Sequence, residues 1–191
     1  MKKLLATSLL ATGLLTGNSV YAEDYAIDTE GMHAFVQFRI QHLGYSWLYG
    51  RFDKFSGNFS YDEAKPEEAK AEVAIDTTSI NSNHAERDKH LRSEDFLDVE
   101  KFPEAKFVST KFIPGADGAG KLEGDLTLHG VTKPITLDVK QIGAGDDPWG
   151  GFRRGFEGST KFALKDFDIK KDLGPASQEV EMILAVEGVR K

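Results

Sequence analysis

The segment from Asn83 to Ala105, NHAERDKHLRSEDFLDVEKFPEA, holds two histidines and seven carboxylates, residue types that can bind a metal ion or move a proton. His84 and His90 stand six residues apart, so on a helix they point about 120° apart and do not share one ion. His84 and Asp88 are four residues apart and could share one, but two ligands are too few for a protein metal site. The spacing therefore predicts no metal site in this segment.

Nucleophilic catalysis has little support in the pattern. A serine could be combined with a histidine and an aspartate, but nearly any chain of this size offers that combination. The sequence lacks the G-x-S-x-G turn that exposes a serine nucleophile. We interpret Arg87, Asp88 and His90 as hydrogen-bond partners that hold the fold, with catalysis by these residues and His84 as the alternative. No catalytic residue is predicted.

The same segment is predicted to form a short helix. Asn83 is a favourable N-cap, and Glu86 follows three residues later at the spacing of a capping box. The helix runs from about His84 to Arg92, and Pro103 ends the segment. Most of the charges then belong to the water-facing side of an insert between two strands.

The N-terminus has the pattern of a secretory signal peptide. MKK is a short basic start, residues 4–15 form an apolar stretch of 12 residues, and Val20 and Ala22 have the spacing of a cleavage site. That stretch is shorter than the ~20 residues that span a bilayer, and no other apolar run reaches about 18. We predict cleavage after Ala22, export to the periplasm and a single soluble domain at residues 23–191.

The composition excludes several classes of function. Without residues 1–22 the chain carries 22 Lys and Arg against 31 Asp and Glu, a net charge of −9, which repels nucleic acid and anionic headgroups. The sequence contains no cysteine, which excludes disulfides, cysteine nucleophiles and thiolate metal sites. We therefore expect no nucleic-acid partner and at most transient membrane contact.

Most of the chain alternates between apolar and polar residues, which is the period of a half-buried strand. In HAFVQFRIQHL, for example, Val36, Phe38 and Ile40 fall on one face, and Gln37 and Arg39 fall on the other. About eight such runs follow one another, with YAID as a further short one, and turns rich in Gly, Pro and Asp separate them. Connections this short imply antiparallel neighbours.

Two architectures suit eight antiparallel strands, a two-sheet sandwich and a closed barrel. Glycines such as Gly57, Gly124 and Gly158 interrupt faces that carry large aromatic residues. A strand glycine marks a bend or a close approach, which a barrel wall needs more than a flat sandwich. The pattern favours an all-β fold, an eight-stranded antiparallel β-barrel with a short helical insert at about 84–92. A barrel of this size is plugged by its own side chains or holds one small ligand.

Four motifs resemble those of the bacterial YceI family: the charged segment 83–105, GDLTLHGVTKPITL, DDPWGGFRRGF and KDFDIKKDLGPASQEVEMILAVEGV. The similarity runs over essentially all of residues 23–191. It implies a lipocalin-like barrel, often a homodimer, whose interior tunnel holds a polyisoprenoid lipid such as an octaprenyl chain or an isoprenoid-quinone precursor. It implies no enzymatic activity and no cofactor beyond the bound lipid. Transport, storage and sequestration of the lipid all agree with it.

On this basis the inward-facing apolar residues are the candidate ligand-binding residues, with ordinary core packing as the alternative for each. GYSWLYG is predicted to be a Gly-bounded connection after a strand, in which Trp47 and Tyr49 cover one end of the barrel, and Trp149 lies in another exposed loop. Arg39 points away from the apolar face. The candidate set is Val36, Phe38, Ile40, Trp47, Phe52, Phe59, Ile75, Phe107, Leu126, Leu128, Leu137, Phe156, Phe162, Met182 and Leu184.

The apolar residues of the insert, Phe96, Leu97 and Phe102, are predicted to close one end of the barrel as a lid whose charges face water. Arg153 and Arg154 form a basic patch that could touch a lipid surface at short range. The leading hypothesis is a carrier or sequestering protein for a polyisoprenoid. The alternatives are an enzyme acting on a prenyl lipid at the barrel mouth and a ligand-free interaction protein with a filled core.

Overall fold

The computed structural model describes residues 22–191, so the predicted signal peptide falls, except for its last residue, outside the described part of the chain. The described residues form eleven strands and one α-helix, α1 (Ala85–Arg92). Within these residues no helix is long and apolar enough to cross a bilayer. The strands are β1 (Glu23–Ile27), β2 (Phe35–His42), β3 (Ser46–Phe52), β4 (Phe55–Tyr61), β5 (Lys70–Asp76), β6 (Ile80–Asn81), β7 (Glu104–Pro114), β8 (Ala119–Leu128), β9 (Val131–Asp146), β10 (Phe152–Ala163) and β11 (Glu179–Arg190).

The eleven strands build the eight walls of a closed antiparallel barrel. The ring closes where β1 pairs with β11, with Tyr25 opposite Arg190. Three of the walls consist of two strands each. The first is formed by β1 and β2, which both pair with β11. The second is formed by β4, which pairs with β1, and β3, which pairs with β2, and the third by β5, which pairs with β4, and β6, which pairs with β3. The predicted eight-stranded antiparallel barrel with one short helix is confirmed.

A bulge in β7 brings two phenylalanines to the inside of the barrel. Phe107 and Phe112 are five residues apart, an odd spacing that puts them on opposite faces of a regular strand. The pairing of β7 with β8 shifts between Ser109 and Lys111, which adds one residue and returns Phe112 to the interior. Both phenylalanine side chains are buried as a result.

Gly124 of β8 allows the Phe107 ring to lie across the inner surface of the wall. A Cβ atom at Gly124 would lie 2.5 Å from the Cζ atom of Phe107, so a larger residue would force the ring to move. A Cβ atom at Gly50 of β3 would likewise clash with the ring of Phe38. The prediction that a strand glycine marks a close approach is confirmed at Gly124.

The segment GYSWLYG, predicted as a connection, forms most of strand β3, which pairs with β2 along its whole length. The turn before it has a positive φ at Leu43 (52°) and at Gly44 (81°), and the Tyr45 amide donates to the His42 carbonyl over 2.9 Å. Two successive positive φ values define a two-residue hairpin turn that Asn-Gly usually marks. The prediction was wrong because Leu-Gly does not carry that signal.

Helix α1 begins one residue later than predicted, and its N-cap is His84 and not Asn83. The Nδ1 atom of His84 accepts a hydrogen bond from the Arg87 amide at 3.2 Å. Asn83 has a φ of 63°, and its amide donates to the Asn81 side-chain oxygen over 2.9 Å. Asn83 therefore belongs to the turn before the helix, while the predicted end at Arg92 is confirmed.

The prediction that the charges of the insert face water is wrong for Asp88, which is buried. Its carboxylate accepts a hydrogen bond from the Ser82 amide at 2.7 Å. Arg87 donates through Nε to the Ser82 hydroxyl at 2.7 Å, and Arg92 donates to the Thr78 carbonyl at 2.7 Å. Strand β6 has only two residues, so the backbone groups around it have few hydrogen-bond partners in a neighbouring strand. Side chains of the helix supply these hydrogen bonds instead.

Candidate functional site

The barrel is not filled by its own side chains, because it encloses a cavity of about 700 Å³. Each of the eight walls contributes at least one apolar side chain to the lining of this cavity. Met182, Leu184 and Ile135 face inward and yet are only partly buried, since they border open volume. The volume lies in the range of pockets that hold a small ligand. The described residues therefore form a hollow barrel, which disagrees with the alternative of an interaction protein with a filled core.

The walls of the cavity offer almost no hydrogen-bonding groups. Among the residues that the structure describes, Thr160 of β10 is the one polar residue of the lining outside the barrel end, and its hydroxyl donates to the Thr136 carbonyl over 2.8 Å. The other polar residues of the lining gather at one end, which we call the mouth. They are Gln41, His42, Arg87, His90, Asp172 and Ser177.

Three segments meet at the mouth: the turn between β2 and β3, helix α1, and the segment between β10 and β11. The Ser177 hydroxyl donates to the Gln41 carbonyl over 2.5 Å, which ties the last segment to the end of β2. A Cβ atom at Gly44 would lie 3.6 Å from the Cβ of Ala176. Leu43 borders the cavity and is still 58% exposed, so the apolar lining continues to the outer surface here.

Helix α1 and the residues after it supply the remaining apolar cover at the mouth. Leu91, Phe96 and Leu97 line the cavity, as the lid prediction requires for Phe96 and Leu97. Phe102 does not line it and packs against the His129 ring, with 4.7 Å between the ring centroids. Phe102 is therefore not part of the predicted cover over the cavity and packs instead on the turn between β8 and β9.

A charged bridge connects the end of α1 to the segment between β10 and β11. Asp95 Oδ2 lies 2.7 Å from His90 Nε2 and 2.8 Å from Lys171 Nζ. The hydrogen bond from Lys171, followed by the one from His90, lowers the pKa of the Asp95 carboxyl. The His90 ring also packs edge-on against Phe96, with centroids 4.9 Å apart. This bridge joins the end of the helix to the segment between β10 and β11 beside the cavity mouth.

The four residues of the enzyme alternative are not brought together in one site. His84 caps the helix and Asp88 is buried against Ser82, and neither borders the cavity. Arg87 and His90 do border it. The Arg87 guanidinium is already bonded to the hydroxyl and carbonyl of Ser82, at 2.7 and 2.6 Å. These contacts support the structural interpretation of Arg87 and Asp88.

Aromatic residues close the other end of the barrel. The Tyr25 and Phe59 rings stack with centroids 4.8 Å apart, and Phe156 packs edge-on against Phe59 at 5.5 Å. Burial raises the pKa of the Tyr25 hydroxyl. A smaller cavity of about 120 Å³ lies on this side, with Phe59 and Phe156 in its lining. Phe107, Leu137 and Leu184 belong to the linings of both cavities and separate them.

The predicted basic patch of Arg153 and Arg154 is wrong, because neither guanidinium is available at the surface. Arg154 is 3% exposed and bonds to the Tyr25 hydroxyl at 3.2 Å and to Glu63 at 2.9 Å. Arg153 is paired with three carboxylates, those of Asp28, Asp147 and Glu187. Both side chains therefore hold the closed end together.

One group of residues has the spacing of a metal site: Asp28, His33 and Glu187 offer ligand atoms within 4.8 Å of one another. Arg153 Nη1 already lies 2.6 Å from Asp28 Oδ2 and 2.5 Å from Glu187 Oε1. Its hydrogen bond, with those from the Gly31 amide and His33, lowers the pKa of Asp28 to about 2. The guanidinium takes the role that a bound cation would have, so we assign no metal to this group.

Most of the predicted lining residues lie where the alternation placed them. Phe59 and Phe156 line the smaller cavity at the closed end. Trp47 lines neither cavity, and its placement is wrong because it lies on the outer face of β3. The other twelve line the main cavity: Val36, Phe38, Ile40, Phe52, Ile75, Phe107, Leu126, Leu128, Leu137, Phe162, Met182 and Leu184.

Several residues that line the cavity are not among those predicted from the sequence. Leu48 of β3 follows from the alternation once that strand is recognised, and Val73 and Ile135 continue the inward faces of β5 and β9. Leu91 and Leu173 lie in the helix and in a segment without regular structure. No periodic signal in the sequence could have identified these two.

Comparison with known proteins gives consistent matches over nearly the whole chain. Residues 25–188 match the model of the YceI-like domain. The chain is 59% identical to the UPF0312 protein of Pseudomonas aeruginosa and 58% identical to the protein YceI of Escherichia coli, with 100% of each chain covered.

Solved structures share the same fold. The YCEI protein of Campylobacter jejuni is 30% identical with a TM-score of 0.72, over 80% of this chain and 90% of that one. A polyisoprenoid-binding domain from Saccharophagus degradans, implicated in plant cell wall breakdown, is 17% identical with a TM-score of 0.63. That likeness covers 87% of this chain and 98% of the other, and at this identity it shows the fold alone.

Proposed function

The chain belongs to the YceI-like family, and from that premise we propose that it binds one polyisoprenoid lipid chain inside the barrel, as a periplasmic carrier or sequestering protein. The cargo is an octaprenyl-type chain or an isoprenoid-quinone precursor. The likeness in fold to a polyisoprenoid-binding domain supports this class of ligand. The signal-peptide pattern of residues 1–22 supports export, and residues 23–191 act as one domain.

The observation that carries the proposal is a cavity of about 700 Å³ whose polar lining residues, apart from Thr160, all lie at the mouth. A polar ligand in the body of such a cavity would lose its hydrogen bonds to water without replacement, which is unfavourable. A hydrocarbon chain has no hydrogen bonds to lose, and its transfer from water into the cavity is favourable in free energy. The polar mouth suits the headgroup at the end of such a chain.

Burial of the hydrocarbon chain is the main source of free energy for binding. Two or three isoprenoid units, about 10 to 15 carbons, contribute on the order of 8 to 12 kcal/mol at roughly 0.8 kcal/mol per CH₂. Micromolar affinity needs about 8 kcal/mol. The cost of association must be subtracted, and each further unit of a longer chain offsets it. Affinity therefore needs no directed polar contact within the barrel.

The test is binding of radiolabelled geranylgeraniol, followed by co-elution with the protein on gel filtration. Leu126→Trp places a large side chain in the cavity, and Asp125→Trp places the same side chain one residue away on the outer face of β8. We expect one geranylgeraniol per chain for the wild type and Asp125→Trp, and little for Leu126→Trp.

Met182→Trp fills the cavity from β11 and covers the case in which Leu126→Trp does not fold, as judged by circular dichroism. Equal binding by a folded filling variant and by Asp125→Trp would show that geranylgeraniol binds outside the cavity, and the proposal would fail.

A further inference from the structure

The hairpin between β2 and β3 carries an uncharged apolar surface on an otherwise charged protein. Residues 42–50, HLGYSWLYG, contain no Asp, Glu, Lys or Arg, whereas 29% of the chain is charged. Four side chains of this segment are well exposed, Leu43 by 58%, Tyr45 by 86%, Trp47 by 43% and Tyr49 by 54%. We call these four residues the mouth patch.

The mouth patch is continuous with the opening of the cavity. Leu43 belongs to it and also borders the cavity. Leu48 of β3 points inward and lines the cavity, so the neighbouring Trp47 and Tyr49 point outward. The exposed apolar surface therefore runs from the edge of the mouth onto the outer face of β3.

We propose that the mouth patch docks on the surface of a lipid bilayer and presents the cavity mouth to it. This inference rests on the proposed function, because a water-insoluble prenyl chain must enter the cavity from a membrane. Tyr and Trp side chains concentrate at membrane–water interfaces, where the ring is buried and the polar tip stays wet. Three of the four patch residues are of these types.

The distribution of charge favours this surface over the rest of the protein. Without residues 1–22 the chain carries a net charge of −9, from 22 Lys and Arg against 31 Asp and Glu, which repels anionic headgroups at long range. The patch itself carries no carboxylate. Arg39 stacks on Trp47, with its Cζ atom 4.4 Å from the ring centroid, and its ion pair with Glu181 is neutral as a whole. Docking is therefore driven by the aromatic rings and should depend weakly on salt.

A second copy of the chain is the competing occupant, because β3 also has an open strand edge. Among the described residues, Arg51 and Phe52 are the only positions of β3 paired on the side away from β2. Pairing of two such edges would bury Trp47 and Tyr49 and bring a partner against the mouth. The direct continuity of the patch with the cavity lining favours the bilayer.

The chain has two tryptophans, which makes the test direct. Trp149 is 76% exposed in the hairpin loop at the closed end of the barrel, so it reports on a surface far from the patch. Full-length Trp149→Phe leaves Trp47 as the sole tryptophan, and Trp47→Phe leaves Trp149. Each variant is mixed with vesicles of phosphatidylethanolamine and phosphatidylglycerol, with and without brominated acyl chains, and tryptophan emission is recorded.

We expect a blue shift and bromine quenching for Trp47 and neither for Trp149. Tyr45→Ser, introduced into Trp149→Phe, should weaken the effect several-fold. Tyr45 lines no cavity, so geranylgeraniol binding should stay unchanged in the same preparation.

Unquenched Trp47 in protein that binds geranylgeraniol would overturn the docking inference and leave the proposed function standing. A blue shift that depends on protein concentration without vesicles would overturn it in favour of a second copy. Quenching without geranylgeraniol binding would support docking while the proposed function fails.

Discussion

Asp88 of helix α1 accepts one hydrogen bond from the Ser82 amide, over 2.7 Å, and a second from the Ser82 hydroxyl. Both residues are buried, so a carboxylate inside the protein holds the helix to the barrel wall. The helix in turn places Arg87, His90 and Leu91 at the cavity mouth. The charged insert therefore acts through its position over the cavity.

Replacing Asp88 with alanine should destabilise the protein. The Ser82 amide and hydroxyl would stay buried without their acceptor, which costs about 2 to 3 kcal/mol in the free energy of unfolding. Urea denaturation measures this loss. Lys89→Ala changes the next, exposed residue of the same helix and should alter stability by less than about 0.5 kcal/mol. Equal stability of the two variants would contradict a role for Asp88 in holding the helix.

Gly124→Ala should destabilise the barrel, because the new Cβ would lie 2.5 Å from the Phe107 ring. Displacement of a buried ring costs about 1 to 3 kcal/mol. Gly143→Ala is the matched control, since a Cβ there has no atom within 4 Å. Thermal unfolding of both variants measures the difference, and a similar effect of the two would show that the Phe107 ring moves at no cost.

The Asp28–Arg153 pair should make stability depend on acidic pH. The pKa of Asp28 is about 2 in the folded protein, against an ordinary 3.8. A group whose folded pKa is lowered contributes stability above its unfolded pKa and loses it as pH falls through the folded pKa. Asp28→Asn should therefore cost about 2 kcal/mol at neutral pH.

The difference in stability between the wild type and Asp28→Asn should shrink between about pH 4 and pH 2, where the wild-type carboxyl takes up its proton. Urea denaturation at a series of pH values checks this. A difference that stays constant down to pH 2 would mean that the carboxylate charge contributes nothing to the Arg153 contact.

Leu184→Ala should join the two cavities, because Leu184 lies between them. The truncation costs about 2 to 5 kcal/mol of stability. The variant should also bind longer prenyl alcohols in preference to geranylgeraniol, because the joined cavities hold a longer chain. Met182→Ala enlarges the main cavity without reaching the smaller one and should produce no such shift. Competition between prenyl alcohols of different length measures the preference, and an identical preference in both variants would contradict the division at Leu184.

The alternation of the sequence predicted the walls and most of the lining, because in a strand the side chain of every second residue faces the same way. Alternation does not show whether inward side chains meet at the centre. The sequence therefore left the filled and hollow barrels open. Strand β3 was missed because its turn contains Leu43 and Gly44 rather than Asn-Gly. The burial of Asp88 depends on Ser82, a contact that is formed only when the helix packs on the wall.

The most direct test of the account is mass spectrometry of an organic extract from the full-length gene product, purified without detergent. The account predicts one prenyl lipid per chain in the wild type and in Asp125→Trp, and none in a folded Leu126→Trp protein. Absence of prenyl lipid from the wild type, together with failure to take up added geranylgeraniol, would contradict the proposal that the cavity holds a polyisoprenoid.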